Sequence, residues 1–163
     1  MPLLLNDDDL HQHMSPAEAV EVMESVFRAR ADGQTAGAAR WELPFPEGRM
    51  TFTPGAVPEG VGFRVYVRGQ FAHDDQVVVV WDRTSGALKG FVVGNALGAL
   101  RTGAIGGVAI KHMTPPDATI LALIGTGHQA WTQLQAIVAV RPLDEVRVYS
   151  RTADNRAAFC DKA

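Results

Sequence analysis

The chain has 163 residues, 47% of them hydrophobic and 20% charged, which is typical of a globular protein. Its formal net charge of −3 gives no reason to expect nucleic acid or an anionic membrane as a partner. Cys160 is the only cysteine, which excludes a disulfide framework and fits a reducing cytoplasm. We expect no metal site, because the five histidines are scattered, and no apolar run approaches the roughly 20 residues of a membrane span.

The N-terminal part of the chain predicts a short strand and then a helix. Residues 3–5 predict the strand. The motif SPAE at 15–18 is a capping box with proline at the first helical position. Apolar residues then recur on one helical face until Gly33, which ends the helix. Residues 37–48 are predicted to be irregular, because two prolines interrupt regular structure there.

A series of strands is predicted next. Three β-rich stretches, 49–53, 63–67 and 76–81, are bounded by proline and glycine. Residues 82–86, DRTSG, are typical of a hairpin loop that leads into a strand at 87–93. Together these stretches predict a mixed, largely antiparallel sheet.

A glycine-rich helix is predicted at 95–113. Each glycine inside a helix costs about 1 kcal/mol relative to alanine. Four of them therefore suggest close contact of the helix backbone with either another helix or a ligand: Gly98, Gly103, Gly106 and Gly107. Pro115 and Pro116 form the linker that follows.

The stretch 119–131, TILALIGTGHQAW, predicts a buried strand, a glycine turn and an amphipathic helix. Its letters GTGHQA fit the dinucleotide-binding pattern G-x-G-x-x-A. Gly125 permits the sharp turn, Gly127 lets a pyrophosphate approach the backbone, and Ala130 lets helix and strand pack closely. The first turn of the helix offers unpaired N–H groups to the phosphates. The alternative is an ordinary tight turn without a ligand.

A second strand at 145–149, EVRVY, ends at Ser150, Arg151 and Thr152, and a helix starts near Asp154. An NAD site normally presents an acid at this strand end. Serine, arginine and threonine would instead bind a 2′-phosphate, and the planar fork of arginine suits phosphate well. The pattern therefore favours NADP(H) over NAD(H). A surface arginine at a strand end is the alternative.

The fold class predicted from these elements is α/β, in two parts. Residues 1–114 form an α+β part with a mixed sheet, and residues 115–163 form the first βαβ part of a Rossmann domain. A mononucleotide-binding half needs three parallel strands, and only two follow residue 118. We therefore expect either that the chain is the N-terminal portion of something longer or that the missing strands come from elsewhere.

The runs RTGAIGGVAIKHM and LALIGTGHQAWTQLQAIVAVRPLDEVRVYSRT resemble the ornithine cyclodeaminase/mu-crystallin family. So do LLLNDDDL and the segments near Arg40, at 50–55 and at 82–86. The resemblance implies homodimers in which residues 1–114 are a substrate-binding and dimerisation domain and residues 115–163 begin the Rossmann domain. It also implies a small amino-acid or imino-acid substrate, and hydride transfer between nicotinamide and the carbon of a C–N bond alpha to a carboxylate. The catalytic aspartate of the family is expected downstream of Ala163, so the catalytic residue of this chain stays unassigned.

The resemblance also implies roles for individual residues. Arg40 and Arg64 would bind the substrate carboxylate, although Arg64 stands where many members have lysine and cannot release its proton near neutral pH. Both could instead be solvated or ion-paired side chains. The implied cofactor-binding residues are Arg101, Thr102, Gly125, Thr126, Gly127, His128, Gln129, Ser150, Arg151 and Thr152.

The favoured function is an NAD(P)-dependent amino-acid or imino-acid oxidoreductase, or a cyclodeaminase, which is a lyase. Relatives of the crystallin type suggest a second reading, a non-enzymatic binder of NADPH or a small acid. A third is an inactive fragment that only dimerises.

Overall fold

A computed structural model describes residues 1–73 and 75–163, in which six consecutive strands lie between the N-terminal helices and a C-terminal part where helices and strands alternate. The strands are β1 (Leu3–Leu5), β2 (Ala36–Gly37), β3 (Trp41–Phe45), β4 (Gly48–Val57), β5 (Gly60–Gly69), β6 (Gln76–Asp82), β7 (Leu88–Val93), β8 (Ile120–Ile124) and β9 (Glu145–Tyr149). The helices are α1 (Asp7–His13), α2 (Pro16–Ala31), α3 (Ala96–Met113), α4 (His128–Val140) and α5 (Ala153–Lys162). The predicted α/β class is confirmed.

Packing divides the described chain into two compact units. The first consists of Met1–His13 and Ser25–Leu97, and the second of Met14–Glu24 and Gly98–Ala163. These units reflect which residues pack together, so the predicted functional division at residues 114 and 115 stays a prediction.

The first unit contains a seven-stranded sheet in the order β1-β7-β6-β5-β4-β2, with β3 also paired to β4. Strand β1 is parallel to β7, and the other pairs are antiparallel. The mixed, largely antiparallel sheet is therefore confirmed.

The prediction of an irregular stretch at 37–48 is wrong for residues 41–45, which form β3. Pro44 lies opposite Arg49 in this strand, and β4 is the only neighbour that the described residues provide for β3. Proline is tolerated in such an edge strand because its missing N–H can face outward. The sequence around Pro44 does not show which strand lies at the edge.

The two faces of this sheet differ in polarity, because residues opposite one another in register share a face. One face is aromatic, with the ring centroids of Phe52 and Phe63 5.0 Å apart and those of Phe63 and Trp81 5.8 Å apart. The other face is polar and carries Thr51, Thr53, Arg64, Tyr66 and Gln76.

The second unit combines the parallel pair β8–β9 with α3, α4, α5 and the start of α2. The capping box of α2 is present: the Ser15 N–H donates to Glu18 Oε2 at 2.8 Å, and this bond lowers the pKa of Glu18. One buried cluster joins the helices through Ala19, Val20, Ala104, Val108 and Ala136. A second joins Leu123, Leu134 and Phe159.

The glycines of α3 allow close contact with α4. A Cβ atom at Gly103 would lie 2.4 Å from the Thr132 carbonyl oxygen, and one at Gly106 would overlap the Gln133 side chain. The predicted close backbone contact is therefore confirmed for these positions, and the partner is another helix. Within the described residues, no helix has the length and apolar character needed to cross a membrane.

Candidate functional site

The carboxyl ends of β8 and β9 lie side by side in the second unit. Ile124 is opposite Tyr149 in the parallel register, and the Gly125 N–H donates to the Tyr149 carbonyl at 2.7 Å. We call Gly125–Gly127 the phosphate loop and Ser150–Thr152 the strand-end segment. The structure therefore brings these two predicted groups together at the edge where α/β sheets bind ligands.

The backbone of the phosphate loop has the shape that its glycines predict. Gly125 has a φ of 112°, which side chains with a Cβ rarely adopt. Gly127 is extended, with a φ of −83° and a ψ of 179°. No described atom lies within 4 Å of a Cβ position at either glycine, so both face open space.

Helix α4 begins at this loop with its first amides available. No side chain in the described part of the chain caps the helix at Gly127, whose carbonyl accepts the Trp131 N–H at 3.2 Å. The N–H groups of the first turn have no acceptor within a helix, and the N-terminus carries a partial positive charge. His128 and Gln129, which contribute two of these amides, are exposed. The arrangement suits an anion such as a linked phosphate.

The strand-end segment presents an arginine with no competing partner. Arg151 is exposed and makes no hydrogen bond or ion pair with any residue that the structure describes. Thr152 is the N-cap residue of α5, and no described side chain caps this helix either. Ser150 is half-buried, and its carbonyl accepts a hydrogen bond from Arg156 Nη1. These groups fit a nucleotide phosphate, so the residues present are compatible with NADP(H).

A cavity of about 270 Å³ adjoins the phosphate loop. Thr126, Gly127 and His128 line it from the loop side. Helix α5 lines the other side with residues that the sequence interpretation did not single out, namely Asn155, Ala158, Phe159 and Lys162. Their spacing of three, four and seven residues places them on one helical face, which is the signal that could have found them.

Arg101 and Thr102 lie on α3, the glycine-rich helix that packs on α4. Thr102 Oγ1 donates to the Gly98 carbonyl at 2.8 Å, and the Thr102 carbonyl accepts from Gln133 Nε2 at 3.1 Å. Thr102 is thereby held against the helix that starts at the phosphate loop. Arg101 is exposed. The contact of both residues with a cofactor stays a prediction.

The two arginines predicted to bind substrate belong to the first unit. Arg40 is exposed just before β3. Arg64 is half-buried on the polar face of the sheet, with its Cζ 5.0 Å from the Tyr66 ring centroid. Among the described residues it has no hydrogen-bond or ion-pair partner. The hydroxyl of Thr53, directly opposite on β4, is buried and unpaired as well. An unpaired cation beside an unpaired donor suits a carboxylate, although this role too stays a prediction.

Comparison with known proteins gives consistent matches. A family model described as the ornithine cyclodeaminase/mu-crystallin family matches residues 2–163. A Delta(1)-pyrroline-2-carboxylate reductase of Bacillus cereus is 39% identical over 83 residues, which are 51% of this chain and 26% of that protein. The solved Thermococcus litoralis enzyme of that name, in complex with NADH and L-proline, is 27% identical with a TM-score of 0.85, covering 98% of this chain and 53% of the other.

An archaeal alanine dehydrogenase dimer with bound NAD shares the fold, with a TM-score of 0.90 at 23% identity over 99% of this chain and 52% of the other. The chain thus spans about half the length of these solved relatives.

Proposed function

The chain belongs to the ornithine cyclodeaminase/mu-crystallin family, and from that premise we propose an NAD(P)-dependent enzyme acting at a C–N bond next to a carboxylate. The substrate class is a small amino acid or imino acid, and the reaction is a reduction, an oxidation or a cyclodeamination. The observation that carries the proposal is the phosphate loop, where Gly125 turns β8 directly into the uncapped start of α4. At this helix end the exposed amides would bind linked phosphates in place of water.

The proposed cofactor is NADP(H) rather than NAD(H). The support is Arg151, an exposed arginine at the end of β9 whose guanidinium has no partner among the described residues. Ser150 and Thr152 add hydroxyl donors, and the segment has no carboxylate that would repel a 2′-phosphate. The NAD and NADH in the solved relatives belong to those proteins.

In the proposed mechanism the nicotinamide cofactor, when bound, exchanges a hydride with the carbon of the C–N bond. The residues of this chain bind and orient. The amides of Gly127, His128 and Gln129 hold the linked phosphates, and Arg101 and Thr102 support the cofactor from α3. Arg64, with Arg40, holds the substrate carboxylate and so fixes the carbon that reacts. Because arginine stays protonated near neutral pH, Arg64 orients the substrate and moves no proton.

We also propose that the protein works as a homodimer in the cytoplasm, with residues 1–114 for substrate binding and dimerisation and 115–163 for the cofactor. Apolar residues exposed on the aromatic face of the sheet support the dimer: Trp41, Leu43, Met50 and Val93. Surface of this kind marks interaction sites. Sedimentation analysis of Trp41→Ser should show more monomer than the wild-type chain does.

Isothermal titration calorimetry with NADPH and NADH tests the proposal. We expect wild-type chain to bind both and to bind NADPH more tightly. Arg151→Ala should lower NADPH affinity roughly tenfold or more, since hydrogen bonds to charged groups contribute about 1.5–3 kcal/mol, and should change NADH affinity far less. Arg147→Ala is the matched control, because Arg147 lies on the same strand and pairs with Glu145. Equal losses for both nucleotides would contradict the NADP assignment.

An absorbance assay with cyclic imino acids or L-ornithine and NADP(H) then separates an enzyme from a binder. Turnover that falls with Arg64→Met supports the proposed reaction. Tight NADPH binding without turnover of any of these substrates would favour the non-enzymatic binder.

A further inference from the structure

Arg156 ties the strand-end segment to the first turns of α5. Its backbone N–H donates to the Thr152 carbonyl at 3.2 Å, as the helix requires. Its side chain reaches back along the helix, and Nη1 donates to the Ser150 carbonyl. The residue is half-buried, unlike the exposed Arg151. Arg156 therefore donates to the carbonyls of both the first and the last residue of the strand-end segment.

The end of β9 is thereby held from both sides. The Tyr149 carbonyl accepts the Gly125 N–H from the phosphate loop, and the next carbonyl, that of Ser150, accepts the Arg156 guanidinium. A peptide unit is planar, so the Ser150 carbonyl lies in one plane with the Arg151 amide. Holding this carbonyl fixes the direction in which the backbone of Arg151 leaves the strand.

Two arginines five residues apart thus have different surroundings. The Arg156 guanidinium is engaged by the protein itself, whereas Arg151 has no partner among residues 1–73 and 75–163. An arginine whose backbone is fixed in advance loses less freedom when it binds a phosphate. Arg156 is thus suited to position the segment, and Arg151 is suited to bind a phosphate.

We propose that Arg156 is a positioning residue for nucleotide selection: through the Ser150 carbonyl it orients Arg151 toward the 2′-phosphate of NADP(H). This inference rests on the proposed NADP(H) function and goes beyond it by naming a residue that does not touch the ligand. Arg156 supports affinity for the 2′-phosphate of NADP(H). It contributes little to the pyrophosphate contacts, which the phosphate loop makes with either nucleotide.

Calorimetry of the full 163-residue chain with NADPH and NADH tests the inference. The variants are Arg156→Ala, Arg156→Lys, Arg151→Ala and the double variant, with Arg147→Ala as the control. Arg156→Ala should weaken NADPH binding about five- to tenfold and NADH binding less than about twofold. Arg156→Lys keeps a cation and a donor, and should restore most of the NADPH affinity. Binding is measured below the unfolding transition of every variant.

The double variant separates positioning from a general structural role. If Arg156 acts through Arg151, Arg156→Ala should change NADPH affinity less than about twofold once Arg151 is alanine. Fully additive losses, or equal losses for NADPH and NADH, would overturn the inference. So would an Arg156→Ala variant that selects NADPH as the wild-type chain does. If wild-type chain shows no NADPH preference and Arg151→Ala has no effect, the cofactor assignment itself fails, and this inference fails with it.

Discussion

Substituting alanine for Gly127 should separate ligand binding from folding at the phosphate loop. Alanine adopts a φ of −83° and a ψ of 179° without strain, and the described chain has no atom within 4 Å of the new Cβ. Alanine is a poorer N-cap than glycine by roughly 0.5–1 kcal/mol, but it restricts the unfolded chain by a similar amount, about 0.4–1 kcal/mol. These effects nearly cancel, so the free energy of unfolding should change by less than about 0.5 kcal/mol.

The same methyl group should impair nucleotide binding, because it fills the open space that a phosphate must enter to reach the amides of α4. Losing one charge-assisted hydrogen bond costs about 1.5–3 kcal/mol, which corresponds to roughly a ten- to hundredfold loss of affinity. NADPH and NADH share the pyrophosphate, so both should lose affinity to the same extent. Calorimetry gives the affinities, and urea unfolding gives the stability.

Gly125→Ala is the matched contrast. Its surroundings are equally open, but its φ of 112° is strained for alanine, which should cost about 1–3 kcal/mol of stability. Gly125→Ala should therefore lower the urea midpoint, and Gly127→Ala should not. If Gly127→Ala binds both nucleotides as tightly as the wild-type chain does, the phosphates do not pass this glycine and the reasoning is refuted.

Three further predictions concern the rest of the chain. Gly103→Ala places a Cβ 2.4 Å from a carbonyl oxygen of α4 and should lower the free energy of unfolding by about 1–3 kcal/mol. Gly37→Ala is the control, because no described atom lies within 4 Å of its Cβ and the free energy of unfolding should not fall. Equal urea midpoints for the two variants would contradict this prediction. Arg64→Met should raise KM for a carboxylate substrate at an unchanged urea midpoint, and Arg64→Lys should retain part of the affinity; an unchanged KM in Arg64→Met argues against the carboxylate role. The Ser85 N–H and hydroxyl lower the pKa of Asp82 to about 2. The ionised Asp82 carboxylate therefore stabilises the folded chain above its unfolded pKa near 3.9, and this stabilisation is lost as pH falls toward 2. Urea midpoints of Asp82→Asn should vary less with pH between about 2 and 4, and identical profiles would exclude this contribution.

The elements that sequence alone predicted are those set by local chemistry. The phosphate loop follows from glycine spacing between an apolar strand and an amphipathic helix, and it has the expected backbone. The glycines of α3 indicated a close contact but left open what made it, because a missing Cβ does not identify its neighbour. Helix α1 was not predicted, although Asn6 and Asp9 cap it reciprocally at 2.9 and 3.0 Å, a pattern visible in the sequence.

Features that depend on distant pairing were missed. Strand β3 contains a proline and exists because β4 lies beside it, which no local pattern around Pro44 indicates. The hydrogen bond from Arg156 depends on how α5 leaves β9, and the cavity residues Asn155 and Lys162 depend on how α5 packs on Trp131. The roles of the predicted site residues in binding cofactor and substrate stay predictions, and the substitutions described above test them.

Trp131 can serve as an intrinsic fluorescence probe of the cavity beside the phosphate loop. Its indole lines the cavity beside the phosphate loop, with the Phe159 ring edge-on at 5.8 Å and the Lys162 ammonium 4.0 Å from the ring centroid. Indole emission overlaps the absorption of a reduced nicotinamide, so a nucleotide bound near this helix end would quench the fluorescence by energy transfer. In a chain where phenylalanine replaces Trp41 and Trp81, the remaining signal would report on the second unit alone.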